Sequence, residues 1–257
     1  MTDQRSISLN TDIGEGFGDW RIADDDALLD IVTDANVGCG FHAGDPDIMR
    51  RTCDIAAARS ISIGAQVGFY DLRGFGRRFI EIPPESLTND VIYQFGALQA
   101  FAMAAGATVA YVKAHGALYH AAVAHPDYAT AVIRAIMAIN PSLPLMCQPG
   151  TPFAKAAQEA GLRTIAEGYI DRAYLPTGLL VPRGSEGAMI TDLNESCRRA
   201  VQLAAEGTVI ANDGATIAMP VDSMCIHSDS AGAVQIASAV RAAIENAGLT
   251  VAPLHAS

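Results

Sequence analysis

A parallel α/β architecture, either an open sheet or a closed barrel, is what this 257-residue sequence predicts, and three observations predict it. Short apolar runs with strand character alternate with helix-like patterns along the chain, which argues for parallel strands joined by right-handed crossovers. Several of those apolar runs end in glycine-bearing or short polar turns that carry imidazoles, carboxylates or a lysine. Polar groups collected after successive strands are how a parallel sheet or barrel builds a site at its carboxyl edge. No segment rich in Pro, Gly or Ser divides the chain, so residues 1–257 are expected to form one domain.

Taken in order, the first strand is expected at residues 7–9, where Ile7-Ser8-Leu9 runs into Asn10-Thr11-Asp12-Ile13-Gly14-Glu15-Gly16-Phe17-Gly18, a glycine-spaced turn with two carboxylates. A helix-like pattern at 24–29 follows, then a strand at 31–37 that opens into Gly38-Cys39-Gly40-Phe41-His42-Ala43-Gly44-Asp45. Glycine backbones approach ligands closely, so His42 and Asp45 are candidates to project over a pocket. The blander reading has His42 satisfying a backbone carbonyl and Asp45 capping the helix at 46–59, with Pro46 in its first turn. Further strands are expected at 61–66, 109–112, 143–146, 164–166 and 224–226, and further helices at 84–105, 126–140, 152–160, 192–206 and 231–247. Residues 208–217 read as a small hairpin closed by Asp213-Gly214.

Composition excludes several functions. The formal charge of −11 opposes broad contact with nucleic acid or anionic membrane. No apolar run approaches the roughly 18 residues of a membrane span, and residues 1–6 lead into a strand rather than a signal-peptide core, so a cytoplasmic location is expected. Five scattered cysteines form no C-x-x-C pair, which argues against a disulfide scaffold or a zinc knot. There is no phosphate-loop motif, no nucleophile elbow and no H-E-x-x-H helix, so a self-contained P-loop ATPase is excluded.

Only two of the basic residues, Lys113 and Lys155, are lysines. Lys113 lies two residues before His115 at the end of an apolar strand, so strand alternation turns both to one side, where an ammonium steadies an oxyanion or holds a carboxylate. Gly74-Phe75-Gly76-Arg77-Arg78 and Val181-Pro182-Arg183-Gly184 set guanidinium groups beside turns, suited to carboxylate or phosphate. Surface ion pairs explain isolated arginines equally well. Glu167 ends a predicted strand, Asp171-Arg172 follow in a loop as a further acid or clamp, and His227 follows the last strand.

The motifs at residues 9–18, 39–46, 74–78, 112–119 and 180–183 together resemble the LamB/YcsF family, the A subunits of prokaryotic ATP-dependent 5-oxoprolinase, along essentially the whole chain. The resemblance implies an irregular seven-stranded (β/α) barrel of the glycoside hydrolase/deacetylase type. It also implies cleavage of the lactam 5-oxoproline to glutamate with ATP as co-substrate, and a complex with the 5-oxoprolinase subunits B and C, which are expected to contribute much of the phosphate chemistry. In that scheme Asp12 or Glu15, with His42, activates water or moves protons, while Lys113 and His115 stabilise the oxyanion. Asn10, Asp45, Gln66, Arg77, Arg78, Glu167, Arg183 and His227 are the candidates to bind substrate. The chain departs from the family at Gln66, where His is usual, at Ala114, where Pro is usual, and at Ser228, where Gly is usual. Two other readings stand beside this one. One is a metal-dependent amide or acetyl hydrolase acting alone, with Asp12, His42 and His115 as ligands of a divalent ion. The other is a non-catalytic binding subunit of a lactam-utilisation complex, and self-association into a homo-oligomer stays open.

Overall fold

The strand and helix alternation closes on itself. The computed structural model describes residues 6–182, 184–230 and 232–254. Within it β1 (Ser6–Ile13), β2 (Asp34–Gly38), β3 (Ser62–Val67), β4 (Val109–Ala114), β5 (Leu145–Cys147) and β6 (Thr164–Tyr169) pair in parallel in chain order. The chain then makes the antiparallel hairpin of β7 (Thr208–Ile210) and β8 (Thr216–Ala218), with Asp213-Gly214 between its strands as the sequence predicts. Next β9 (Ser223–Ile226) enters between β6 and β1 and completes a seven-stranded parallel barrel. A two-residue strand, β10 (Thr250–Val251), adds to the start of β1.

The helices are α1 (Asp25–Leu29), α2 (Pro46–Ala58), α3 (Pro84–Ala104), α4 (Gly116–Ala124), α5 (Pro126–Ile139), α6 (Pro152–Glu159), α7 (Leu193–Glu206) and α8 (Ala233–Asn246). Proline occupies the first turn of α2, α3, α5 and α6, where its missing N–H costs no hydrogen bond. In α2 the buried positions Met49, Thr52, Cys53 and Ala56 follow the helical period and face the barrel. Among the described residues no helix is long and apolar enough to cross a membrane.

Period-2 alternation divides each strand between two environments. Leu9, Ile13, Ala35, Val37, Ile63, Ala65, Val67, Val112 and Ala114 belong to the apolar cluster shared with the helices. Their neighbours Ser8, Asn10, Asp12, Asn36, Lys113, Glu167 and Ser223 are joined to one another inside the barrel, and Gln66 meets His42. Tyr111, Met146 and Ile165 pack at its amino-terminal end with Leu254 against them. The Ser62 hydroxyl donates to the Leu254 carbonyl, and the Leu254 N–H donates to Asp34, whose carboxyl burial pushes up to about 6. Gly64 is required here, because a Cβ on it would overlap the Tyr111 ring.

The structure differs from these expectations in several places. Residues 10–13, read as part of the turn after the first strand, continue β1. The sequence predicts no helix between 112 and 126, but Gly116 takes φ +51° and the alanine-rich sequence behind it runs on as α4. Residues 31–33 lie outside the strand, which begins at the buried Asp34. β10 is too short to leave a period in the sequence.

Candidate active site

The upper half of the barrel holds a closed network. The Lys113 ammonium contacts Glu167 Oε1 at 2.6 Å, Asp12 Oδ1 at 3.1 Å and Asn10 Oδ1 at 3.3 Å, so its three N–H bonds are all engaged. Asn36 donates to Asn10 and Asp12 and accepts from the Tyr111 hydroxyl, while Tyr169 donates to the second Glu167 oxygen. Burial opposes the Asp12 charge, but Lys113, followed by His115 and His227, holds its carboxyl well below the usual carboxylate range. Burial likewise opposes the Lys113 charge, and Asp12, Cys225 and Glu167 overcome it, so the lysine stays cationic. This changes the role expected of Lys113: its charge is balanced by two carboxylates and no N–H remains for an oxyanion.

Above Asp12, in the loop after β1, Glu15 is buried against two imidazoles. Glu15 Oε1 lies 3.3 Å from His42 Nε2 and 3.6 Å from His115 Nε2. The two rings stack with centroids 3.9 Å apart and planes 11° from parallel. Gln66 Oε1 lies 3.3 Å from the same His42 nitrogen, so a proton on His42 Nε2 would face two acceptors. Gly68 and Gly76 let backbone close over the rings, since a Cβ on Gly68 would meet His42 Nδ1 and one on Gly76 would meet His42 Cβ and His115 Nδ1. Burial raises the Glu15 carboxyl to about 7, against the lowering effect of its His42 bond. Burial, then the neighbouring His42, pushes His115 well below the usual imidazole range and keeps it neutral.

Glu15, His42 and His115 are the described residues that come close enough to share a metal ion, with ligand atoms within 4.8 Å of one another. The set differs from the expected one, because Asp12 is committed to Lys113 and Glu15 stands in its place. Distance permits an ion but direction does not. A ligating imidazole places the metal near its own ring plane, and two nearly parallel rings with centroids 3.9 Å apart share no common plane in which one ion could lie. The arrangement suits proton sharing, and no step is assigned to a metal.

A cavity of about 210 Å³ opens above this cluster, lined among others by Asp12, Glu15, Lys113, His115, Arg77 and His227. His42 is fully buried and acts on the cavity through His115 and Glu15. Arg77 stands at the rim, its guanidinium over the Phe75 ring and paired with Asp229. On another side, His227 Nδ1 lies 2.6 Å from Asp171 Oδ2, and its ring stacks on Tyr169 with centroids 5.9 Å apart.

Several expected substrate contacts are placed elsewhere. Asn10, Gln66 and Glu167 are buried beneath the cavity, where they order the groups that line it. Asp45 caps α2, accepting from Asp47 and Ile48, and ties down the first loop by accepting from Gly18. Arg78 is an exposed partner of Asp71. Arg183 lies outside the described residues. Asn36, Tyr111 and Tyr169 join the site without having been expected there. Strand alternation carries the signal for them, since Tyr111 is two residues from Lys113 and Tyr169 two from Glu167.

The LamB/YcsF family model matches residues 7–257. The 5-oxoprolinase A subunit of Mycolicibacterium gilvum is 53% identical over 247 residues, which covers 96% of this chain and 98% of that protein. The protein of the same name from Streptomyces coelicolor is 51% identical over 245 residues, or 95% and 98% of the two chains. The lactam utilization protein of Thermus thermophilus has a crystal structure that superposes with a TM-score of 0.93 at 42% identity, covering 97% of this chain and 100% of that one. With the family model matched over residues 7–257 and relatives similar along nearly the whole chain, the chain belongs to the LamB/YcsF family.

Proposed function

We propose that this chain is the A subunit of a cytoplasmic, ATP-dependent 5-oxoprolinase that opens the lactam of 5-oxoproline to glutamate, working with subunits B and C. The observation that carries the reading is Glu15, a buried carboxyl raised to about 7 at the wall of a small cavity and backed by two imidazoles. A general base works best when its pKa lies near the operating pH. Lactam resonance makes the ring a poor electrophile, and phosphorylation of the carbonyl oxygen by ATP overcomes this. Water then adds to the carbonyl carbon and gives its proton to ionised Glu15. The hydroxyl so formed loses its remaining proton to solvent as its oxygen re-forms a carbonyl. The C–N bond breaks with its electron pair on nitrogen, which takes up a proton, and a second water hydrolyses the acyl phosphate to glutamate and phosphate. Arg77, at the rim and half-exposed, is the cation suited to the substrate carboxylate. The Lys113 network fixes Asp12 as an anion beneath the reacting groups.

The test is glutamate release from 5-oxoproline by this chain alone, with ATP, and with subunits B and C added. Release only from the assembled, ATP-supplied complex is expected. Release by the chain alone without ATP would instead favour an independent amide hydrolase. Unchanged release after Glu15→Gln in the complex would leave this chain a binding subunit.

A further inference from the structure

Ring opening makes a demand that Glu15 does not meet. When the C–N bond breaks, its electron pair goes to the ring nitrogen, and an amine anion is a prohibitively poor leaving group unless a proton arrives as the bond lengthens. The donor must reach the substrate from a side other than that of the water, because the base holding the water's proton faces the attacking oxygen.

We propose that His227 is the general acid that protonates the lactam nitrogen, with Asp171 as the residue that positions it; this rests on the functional reading above. His227 follows β9 and His115 follows β4, strands separated by two others in one direction around the barrel and by three in the other. Both side chains line the same cavity, so two imidazoles reach one substrate space from opposite walls. Each is backed by its own acid, Glu15 for His115 and Asp171 for His227. The two acids are tuned in opposite senses. Glu15 is raised by burial, whereas Asp171, although burial also works to raise it, is lowered by the His227 charge and hydrogen bond and stays an anion. A carboxylate 2.6 Å from Nδ1 fixes that nitrogen as the donor to Asp171 and assigns Nε2 to proton transfer. Stacking on Tyr169, itself tied to Glu167, sets the plane of the ring.

In the step proposed, the His227 imidazolium gives its Nε2 proton to the ring nitrogen as the C–N electron pair moves there. The imidazole left behind regains a proton from solvent before the next turnover. Catalysis then needs Glu15 ionised and His227 protonated, which gives a bell-shaped pH dependence with Glu15 on the acid limb and His227 on the basic limb.

The experiment uses the complex with subunits B and C and follows glutamate release against pH, with the ¹⁵N isotope effect at the ring nitrogen, for the parent, His227→Gln and Asp171→Asn. Glutamine keeps a donor for Asp171, and thermal unfolding checks the fold of both variants. His227→Gln is expected to lower kcat by on the order of 10²-fold or more, abolish the basic limb and raise the ¹⁵N effect as unassisted C–N cleavage becomes limiting. Asp171→Asn removes the carboxylate that orients the ring, so it is expected to lower kcat less than His227→Gln does while sharing its raised ¹⁵N effect. Parent-like turnover in His227→Gln overturns the assignment, and so does a loss with the basic limb and ¹⁵N effect unchanged. A parent complex that releases no glutamate would instead sink the functional reading on which the assignment stands.

Discussion

Two polar layers lie one above the other in the barrel, and they are partnered differently. In the lower layer Lys113, Asp12, Glu167, Asn10, Asn36 and Tyr111 bind one another, and the ammonium has no spare donor. In the upper layer His42 Nδ1, Gln66 Nε2, His115 Nδ1, Tyr119 Oη and Asp171 Oδ1 are buried without a hydrogen-bond partner among the described residues. A completed network fixes geometry and charge, whereas an incomplete one retains groups able to exchange protons or receive a ligand. Lys113, with its N–H bonds all engaged, belongs to the completed layer, and the groups with unsatisfied atoms lie above it.

The sharpest way to break this contrast is Lys113→Met. It leaves two buried carboxylates without their cation, and breaking such a pair costs about 3–5 kcal/mol, measurable by chemical denaturation. Adding Glu167→Gln should recover part of that loss, because one of the stranded charges goes with it. A Lys113→Met protein as stable as the parent would show that the lower layer is not structural.

Glu15→Gln should have the opposite character, a large effect on turnover and little on the fold. Glutamate release in the complex should fall by roughly 10²- to 10⁴-fold, and the rise of kcat/KM with pH through about 7 should vanish. Stability follows from the same shift. The folded carboxyl titrates near 7 and the unfolded one near 4.5, so the folded state binds the extra proton between them. Stability therefore falls as pH rises across that window and levels off above it. Glu15→Gln should flatten the slope in melting curves recorded from about pH 4.5 to 8.

The smallest effect is expected at Asp45, whose carboxylate caps α2 away from the cavity. Asp45→Ala should cost about 1 kcal/mol in denaturation experiments while kcat changes less than the Glu15 variant's by orders of magnitude. A comparable loss of turnover would return Asp45 to the reacting groups.

The sequence made the scaffold legible because the scaffold is periodic. Strands at 61–66 and 164–166 and helices at 46–59 and 84–105 lie within a few residues of β3, β6, α2 and α3, since apolar period and terminal prolines report local structure directly. α4 escaped because Gly116 and His115, read for their chemistry, masked an alanine-rich helix start. Glu15, His42, Lys113 and His115 could be listed together because each follows a strand in the same sense. Their division of labour depended on which carboxylate reached the lysine, and Asp12 and Glu15, three residues apart, separate only once the barrel closes. Asp171 and His227 pair across 56 positions, a distance over which no local pattern speaks.

Strand β1 precedes all of its partners in the chain, and its edges are completed by β2, β9 and β10. Ser8 bonds Ser223 across 215 positions, and the floor closes only when Leu254 reaches Ser62 and Asp34. A nascent chain therefore carries a half-bonded β1 until residues 223–226 emerge, with Lys113 already made while Glu167 and Cys225 are still to come. Long-range closure of this kind slows folding and prolongs exposure of an unpaired edge. Temperature during synthesis should thus govern the yield of native protein more strongly than its final stability would suggest.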